Sequence, residues 1–225
     1  MKKDLRPAEY KRGFKGFLGC RVDLSLKPMI PRPETEFWLK NAIKDINQAK
    51  RGVVCLDIFA GSGCIGIAVL KNCSEFCRGV VFSDIEKKFL KQIKINLKLN
   101  KIPASRYRVI HSDIFSNLTS LKDVKYDYIF ANPPYVGLDM RHLVQESVLN
   151  WEPLIAIFGG EDGLLYIGKF LQDARKYLNK NGKIYLEIDH LRKNETEKLL
   201  KQLKYKKFKF YKDQFNKWRW VEMQG

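Results

Sequence analysis

From Val53 onward the chain repeats one unit: a short apolar run, a turn, then an amphipathic stretch. Apolar runs at Val53–Phe59, Val80–Ser83, Tyr107–His111, Tyr126–Ala131 and Lys183–Ile188 predict strands. Ile65–Lys71, Glu86–Asn100 and Gly163–Leu178 predict the helices between them. In Glu86–Asn100 the apolar Phe89, Leu90, Ile93 and Leu97 recur at helical spacing, opposite a solvated stripe of Lys87, Lys91, Lys94 and Lys98. Such alternation buries its apolar surface as a mostly parallel sheet wrapped by helices on both faces. Lys204–Tyr211 and Trp218–Glu222 read as a final strand pair. At 225 residues and 45% hydrophobic content, one large α/β domain with a full core is expected. Ahead of it, Gly13, Gly16 and Gly19 punctuate a loosely alternating Phe14–Lys27, the pattern of a hairpin. Pro28, Pro31 and Pro33 forbid regular helix, and Glu34-Thr35-Glu36 then opens an amphipathic helix that Thr35 or a neighbour caps. The expected division is a hairpin and lead-in helix over residues 1–50 and one compact unit over 51–225.

The formal charge of +17 and pI near 9.6 favour an acidic partner, so contact with RNA or the ribosome through the basic surface is expected. Lysines that merely solubilise helix faces account for the charge equally well. In the Lys198–Arg219 tail, aromatic residues interleave with the charges. The five cysteines form no paired CxxC pattern and fit a reducing cytoplasm, with Cys55 and Cys64 as small core residues. Cys73 and Cys77 are placed for one side of a helix end but lack a second pair to complete a metal site. Met1–Lys15 is basic without an apolar leader core, and no apolar run is long enough to span a membrane.

The strand Tyr126–Ala131 runs into Asn132-Pro133-Pro134-Tyr135. Two prolines supply no backbone N–H and hold φ near -65°, leaving a rigid turn with free carbonyls beside an Asn amide. Two acceptors in one plane suit the two N–H donors of a planar –NH2 group. Tyr135 is placed to cover the face of whatever is held. His111, His142 and His190 read as structural or surface residues.

A second ligand site is expected where the first strand meets the first helix. Phe59-Ala60-Gly61-Ser62-Gly63 lets a ligand approach backbone N–H groups at a helix start. Asp84 ends the next strand, 21 positions after Gly63, where an acid suits a ribose diol. Asp113 ends the third strand and suits an adenine amino group. Gly61, Gly63 and Gly66 also satisfy dinucleotide spacing, so a nicotinamide cofactor competes. Asp57 in the strand end and the Asn-Pro-Pro-Tyr segment favour S-adenosyl-L-methionine.

Three stretches together resemble the HemK/PrmC family, the protein-glutamine N5-methyltransferases of peptide chain release factors. They are Ile30-Pro31-Arg32-Pro33-Glu34-Thr35-Glu36, then Asn132-Pro133-Pro134-Tyr135, then Trp151-Glu152-Pro153 with Gly159-Gly160-Glu161-Asp162-Gly163-Leu164. The likeness runs from about Pro7 to Asp189. It implies a Rossmann-like class I S-adenosylmethionine-dependent methyltransferase fold, with a mostly parallel seven-stranded sheet behind an N-terminal β-hairpin. It also implies that Thr35, Asp57, Phe59 to Gly63, Asp84, Asp113, Ile114 and Asn132 line the cofactor pocket. Asn132, Pro133, Pro134 and Tyr135 would then grip a glutamine in a Gly-rich release-factor loop. Phe59-Ala60 departs from the family's usual Gly-Thr and is closer to nucleic-acid amino-methyltransferases. Family members usually carry a helical N-terminal domain, whereas this chain begins almost at the hairpin. The same grip fits an RNA or DNA adenine N6 amine, the rival enzymatic reading. A non-catalytic RNA- or ribosome-binding module on the same scaffold is the third.

Overall fold

The computed structural model describes residues 5–118 and 124–225. After a short helix α1 (Ala8–Arg12), strands β1 (Phe14–Phe17) and β2 (Cys20–Asp23) pair as the expected antiparallel hairpin. Helix α2 (Pro33–Ala49) begins one residue earlier than the sequence suggests, because Pro33 occupies its first turn, where a missing N–H costs nothing. Thr35 does not cap it; the cap position is Arg32, which makes no side-chain capping bond, and Thr35 points into the protein.

Then follow β3 (Val53–Ile58), α3 (Cys64–Asn72), β4 (Cys77–Asp84), α4 (Lys87–Leu99), β5 (Tyr107–His111), β6 (Tyr126–Ala131), α5 (Glu146–Trp151), α6 (Leu165–Asp173), β7 (Leu178–Glu187), α7 (Lys193–Gln202), β8 (Phe208–Lys212) and β9 (Trp218–Gln224). The seven-stranded sheet has the order β5-β4-β3-β6-β7-β9-β8, parallel except that β9 runs antiparallel to both its neighbours. Side chains alternate along each strand into two apolar layers. Cys55, Phe82, Phe130 and Tyr185 face the layer beneath the hairpin and α2 to α4. Leu56, Val81, Ile129 and Leu186 face the layer beneath α6 and α7.

Four expectations are corrected in detail. The helix expected over Gly163–Leu178 ends at Asp173 and is followed by a 3-10 turn, Ala174–Tyr177. Leu178 already pairs with Tyr126, the ladder skips the Asn181-Gly182 turn, and pairing resumes at Lys183, where the sequence begins the strand. Helix α7 escapes notice because only Thr196 and Leu200 are buried along it, too few to mark a periodicity; it leaves β8 shorter than the Lys204–Tyr211 expected. Cys77 begins a strand instead of sharing a helix end with Cys73, and all five cysteines are free and buried. Among the described residues no cluster of three or more His, Cys, Asp or Glu could hold a metal. No described helix is long and apolar enough to cross a membrane.

The hairpin is latched by polar side chains on the inner face of α4. Asn96, fully buried, accepts from the Asp23 N–H at 2.7 Å and donates to the Ser62 carbonyl at 2.9 Å. Gln92 accepts from the Leu26 N–H and donates to Asp23 Oδ1. The exposed lysines of α4 lie on the opposite face. Asn96→Ala therefore strands buried backbone groups of both the hairpin and the loop after β3, at about 2 kcal/mol. Chemical denaturation is expected to show that loss, whereas Lys94→Ala changes stability by less than about 0.5 kcal/mol.

Candidate functional site

Strand order reverses between β3 and β6, and the crevice at such a reversal, beyond the strand carboxyl ends, is where open α/β sheets bind ligands. Three elements close around it.

The loop after β3 is held open by left-handed backbone at Phe59 (φ 59°), Gly61 (53°) and Gly63 (77°). The Ala60 N–H donates to the Ser83 carbonyl, and the Gly61 N–H donates to Asp84 Oδ2 at 2.8 Å. A Cβ added at Gly61 would meet nothing within 4 Å, so this backbone presents an open face. Asp84 also accepts from the Glu86 N–H, and burial raises its carboxyl above the usual range.

The segment Ile30–Glu36 is fastened across the crevice to Trp151-Glu152-Pro153, about 120 positions away. The Ile30 N–H donates to Glu152 Oε2 at 2.9 Å, and Arg32 Nη2 donates to Oε1 at 2.5 Å, with the Glu152 side chain almost wholly enclosed. Two of the stretches singled out in the sequence are thus the halves of one clamp.

The Asn132–Tyr135 turn is packed from behind by the glycine-rich segment. Cβ atoms added at Gly159 and Gly163 would lie 2.4 Å and 2.2 Å from the Pro134 and Tyr135 carbonyl oxygens, so only glycine fits there. At the end of β7 a fully buried Glu187 collects three donors: Thr35 Oγ1 at 2.8 Å and Trp38 Nε1 at 2.7 Å on one oxygen, Tyr135 Oη at 3.0 Å on the other. Asn132 Nδ2 donates to Thr35 Oγ1 at 3.4 Å.

Two cavities result. The first, about 950 Å³ with its open mouth, is walled by Thr35, Phe59, Ala60, Gly61, Ser62, Asp84, Asp113, Ile114, Asn132 and Pro134, all expected from the sequence. The second, about 650 Å³ including its own open mouth, is walled by Pro133, Tyr135, Val144, Val148, Glu187 and Arg219. Met29, Arg32, Asn132 and Ala156 belong to both walls, so the cavities meet at Asn132.

Two expected pocket residues lie outside both walls. Asp57 is fully buried beneath the loop, where Oδ2 accepts from the Gly66 N–H at 2.9 Å and ties down the start of α3. Its Oδ1 has no partner, and burial pushes its carboxyl up to about 8. Gly63 caps α3 against Ile67 and Ile93. Tyr135, expected as a cover, spends its hydroxyl inward on Glu187 and presents its side to the second cavity. Glu187, Arg219, Met29 and Arg32 were not anticipated as site residues. Glu187 had a visible mark: a lone carboxylate in the apolar run Ile184–Ile188, at a strand's carboxyl end.

Phe59 holds a left-handed conformation where the resembling family has glycine, and its ring packs edge-on against Tyr166 and Phe170. Removing the ring costs packing in any variant, but glycine alone also relieves the backbone. Phe59→Gly is expected to be more stable than Phe59→Ala by about 1 kcal/mol in thermal denaturation, the reverse of the ordinary order of these residues.

Known proteins resemble this chain in sequence and in fold. A family model described as conserved hypothetical protein 95 matches residues 25–167. The release factor glutamine methyltransferase of Streptococcus pneumoniae is 34% identical over 217 residues, spanning 96% of this chain and 74% of its own length. That of Thermodesulfovibrio yellowstonii is 36% identical over 183 residues, spanning 81% of this chain and 63% of its own length. Among solved structures, the hMettl16 catalytic domain in complex with MAT2A 3′UTR hairpin 1 superposes with a TM-score of 0.72 at 15% identity, over 92% of this chain and 75% of that one. The sheet order, the hairpin and this superposition make the fold that of the class I S-adenosylmethionine-dependent methyltransferases. With its clamp, its Asn-Pro-Pro-Tyr turn and relatives of this similarity over most of its length, the chain belongs to the release factor glutamine methyltransferase family.

Proposed function

We propose that the protein transfers a methyl group from S-adenosyl-L-methionine to the side-chain nitrogen N5 of a glutamine in a peptide chain release factor. The observation that carries this reading is the shared wall: one cavity suited to a nucleoside and one suited to a small amide meet at Asn132.

The residues of the first cavity fit S-adenosylmethionine. Asp84 offers carboxylate lone pairs to a ribose diol, Ile85 and Ile114 give apolar surface for a base, and Asp113 is an acceptor for its amino group. The bare face of Gly61 admits a ligand close to the backbone. When bound, S-adenosylmethionine supplies an electrophilic methyl group. Asp84→Ala is expected to weaken its binding about 10- to 100-fold, the range for charge-assisted hydrogen bonds of about 1.5–3 kcal/mol, as read by calorimetric titration.

The second cavity performs the harder task. An amide nitrogen is a poor nucleophile because its lone pair is delocalised into the carbonyl. Asn132 Oδ1 and the Pro133 carbonyl accept its two N–H groups, orient the nitrogen toward the first cavity, and favour the positive charge that develops on it. The nitrogen keeps one proton and releases the other to water as its bond to the methyl carbon forms and the methyl–sulfur bond breaks, leaving a neutral thioether. Each preorganised acceptor contributes about 3 kcal/mol, and orientation of the two substrates on the order of 7 kcal/mol. Val144 and Val148 make one side of this cavity apolar, suiting a glutamine flanked by small residues. The basic surface at large is the docking face for an acidic release-factor or ribosome surface. Asn132→Ala is expected to lower kcat about 100-fold on purified release factor while cofactor affinity changes less than threefold. A near-normal kcat in that variant contradicts the amide-gripping role.

A further inference from the structure

We propose that Glu187 is a positioning residue that fixes which way the Asn132 amide faces, so that its oxygen and not its nitrogen meets the acceptor. This rests on the amide-gripping role proposed for Asn132.

An Asn side chain can be turned over, and only one orientation accepts an N–H. The choice is made two bonds away. Glu187 ends β7 fully buried, and its carboxylate receives only donors. Trp38 Nε1–H has no acceptor character, so Oε2 has to accept from it at 2.7 Å. The same oxygen takes the Thr35 hydroxyl proton at 2.8 Å, and the other takes the Tyr135 proton at 3.0 Å. With its one proton committed, Thr35 Oγ1 presents lone pairs alone. The group of Asn132 that meets it is therefore the Nδ2 amine, which leaves Oδ1 for the substrate.

Burial pushes the Glu187 carboxyl up, while the Trp38, Thr35 and Tyr135 donors and the Arg219 guanidinium pull it back toward the ionised form. Arg219, itself paired with Asp213 at 3.0 Å, lines the same cavity. The contacts of this carboxylate thus bind three chain segments into one hydrogen-bonded unit: α2 through Thr35 and Trp38, the Asn132–Tyr135 turn, and β7.

Glu187→Leu removes both acceptor oxygens. The Thr35 hydroxyl is then free to turn its proton toward Asn132, which favours the inverted amide. Kinetics on purified release factor with S-adenosylmethionine test the chain of dependence. Glu187→Leu and Thr35→Val are each expected to lower kcat about 10- to 100-fold, with KM for release factor and calorimetric affinity for S-adenosylmethionine within threefold of the parent. Thr35→Ser, which keeps the hydroxyl, recovers at least tenfold over Thr35→Val. The double variant Glu187→Leu, Thr35→Val is no slower than the slower single variant, because both act through one amide. A kcat for Glu187→Leu within threefold of the parent overturns the inference, as do losses that multiply in the double variant. If Glu187→Leu fails to fold, a Thr35→Val enzyme at the parental rate does the same. The Asn132 side-chain NH2 resonances, assigned by their loss in Asn132→Asp, provide a readout without turnover. They are expected to shift in Thr35→Val. Unmoved resonances overturn the inference even if the parent methylates no release factor, a result that refutes the proposed function instead.

Discussion

Everything at this site hangs on a rigid turn that cannot hold itself in place. Asn132-Pro133-Pro134-Tyr135 lacks two backbone donors, so no ladder or helix fixes it. The surrounding protein supplies what the turn cannot. Val136 N–H donates to the Ile157 carbonyl, and the Gly159 N–H donates back to the Val136 carbonyl. Gly159 and Gly163 let that strap lie directly against the turn's carbonyls. On the other side Thr35 and Glu187 hold Asn132 and Tyr135 by their side chains. Acceptors fixed in this way need not reorganise if charge develops beside them, which is the condition the proposed amide grip requires.

The same need explains why stretches far apart in the chain meet at this site. Ile30 and Arg32 reach Glu152 because the lead-in to α2 and the segment after the turn must meet over the crevice to give it walls. Asn96 ties the hairpin to Ser62, so the loop after β3 is braced from outside as well as from the sheet. Each motif secures a piece of backbone that the cavities depend on, and few of their residues need touch a ligand at all.

Much of this was legible in the sequence, and the failures have physical reasons. The inner parallel strands β3, β4 and β6 stood out because both their faces are largely buried, so their apolar runs are nearly continuous. The loop after β3 and the turn after β6 were found because glycine and proline have few other uses at strand ends. Helix α7 was missed because its packing face is two residues wide. Spacing marks Asp57 as a pocket residue because it reports a position along the chain, and cannot tell a carboxylate that lines a loop from one buried beneath it. Glu187 was overlooked because its partners Thr35 and Trp38 lie about 150 positions away. No local pattern records a contact of that span.

The central claim is that the meeting point at Asn132 presents a protein amide, and not a nucleobase amine, for methylation. Isotopically labelled S-adenosylmethionine, incubated with the enzyme and an equimolar mixture of purified release factor and total RNA, puts that claim to a direct choice. Mass spectrometry of both fractions is expected to find the label on N5 of a single glutamine in a Gly-rich release-factor loop. Label on RNA adenine with an unmodified release factor would contradict it.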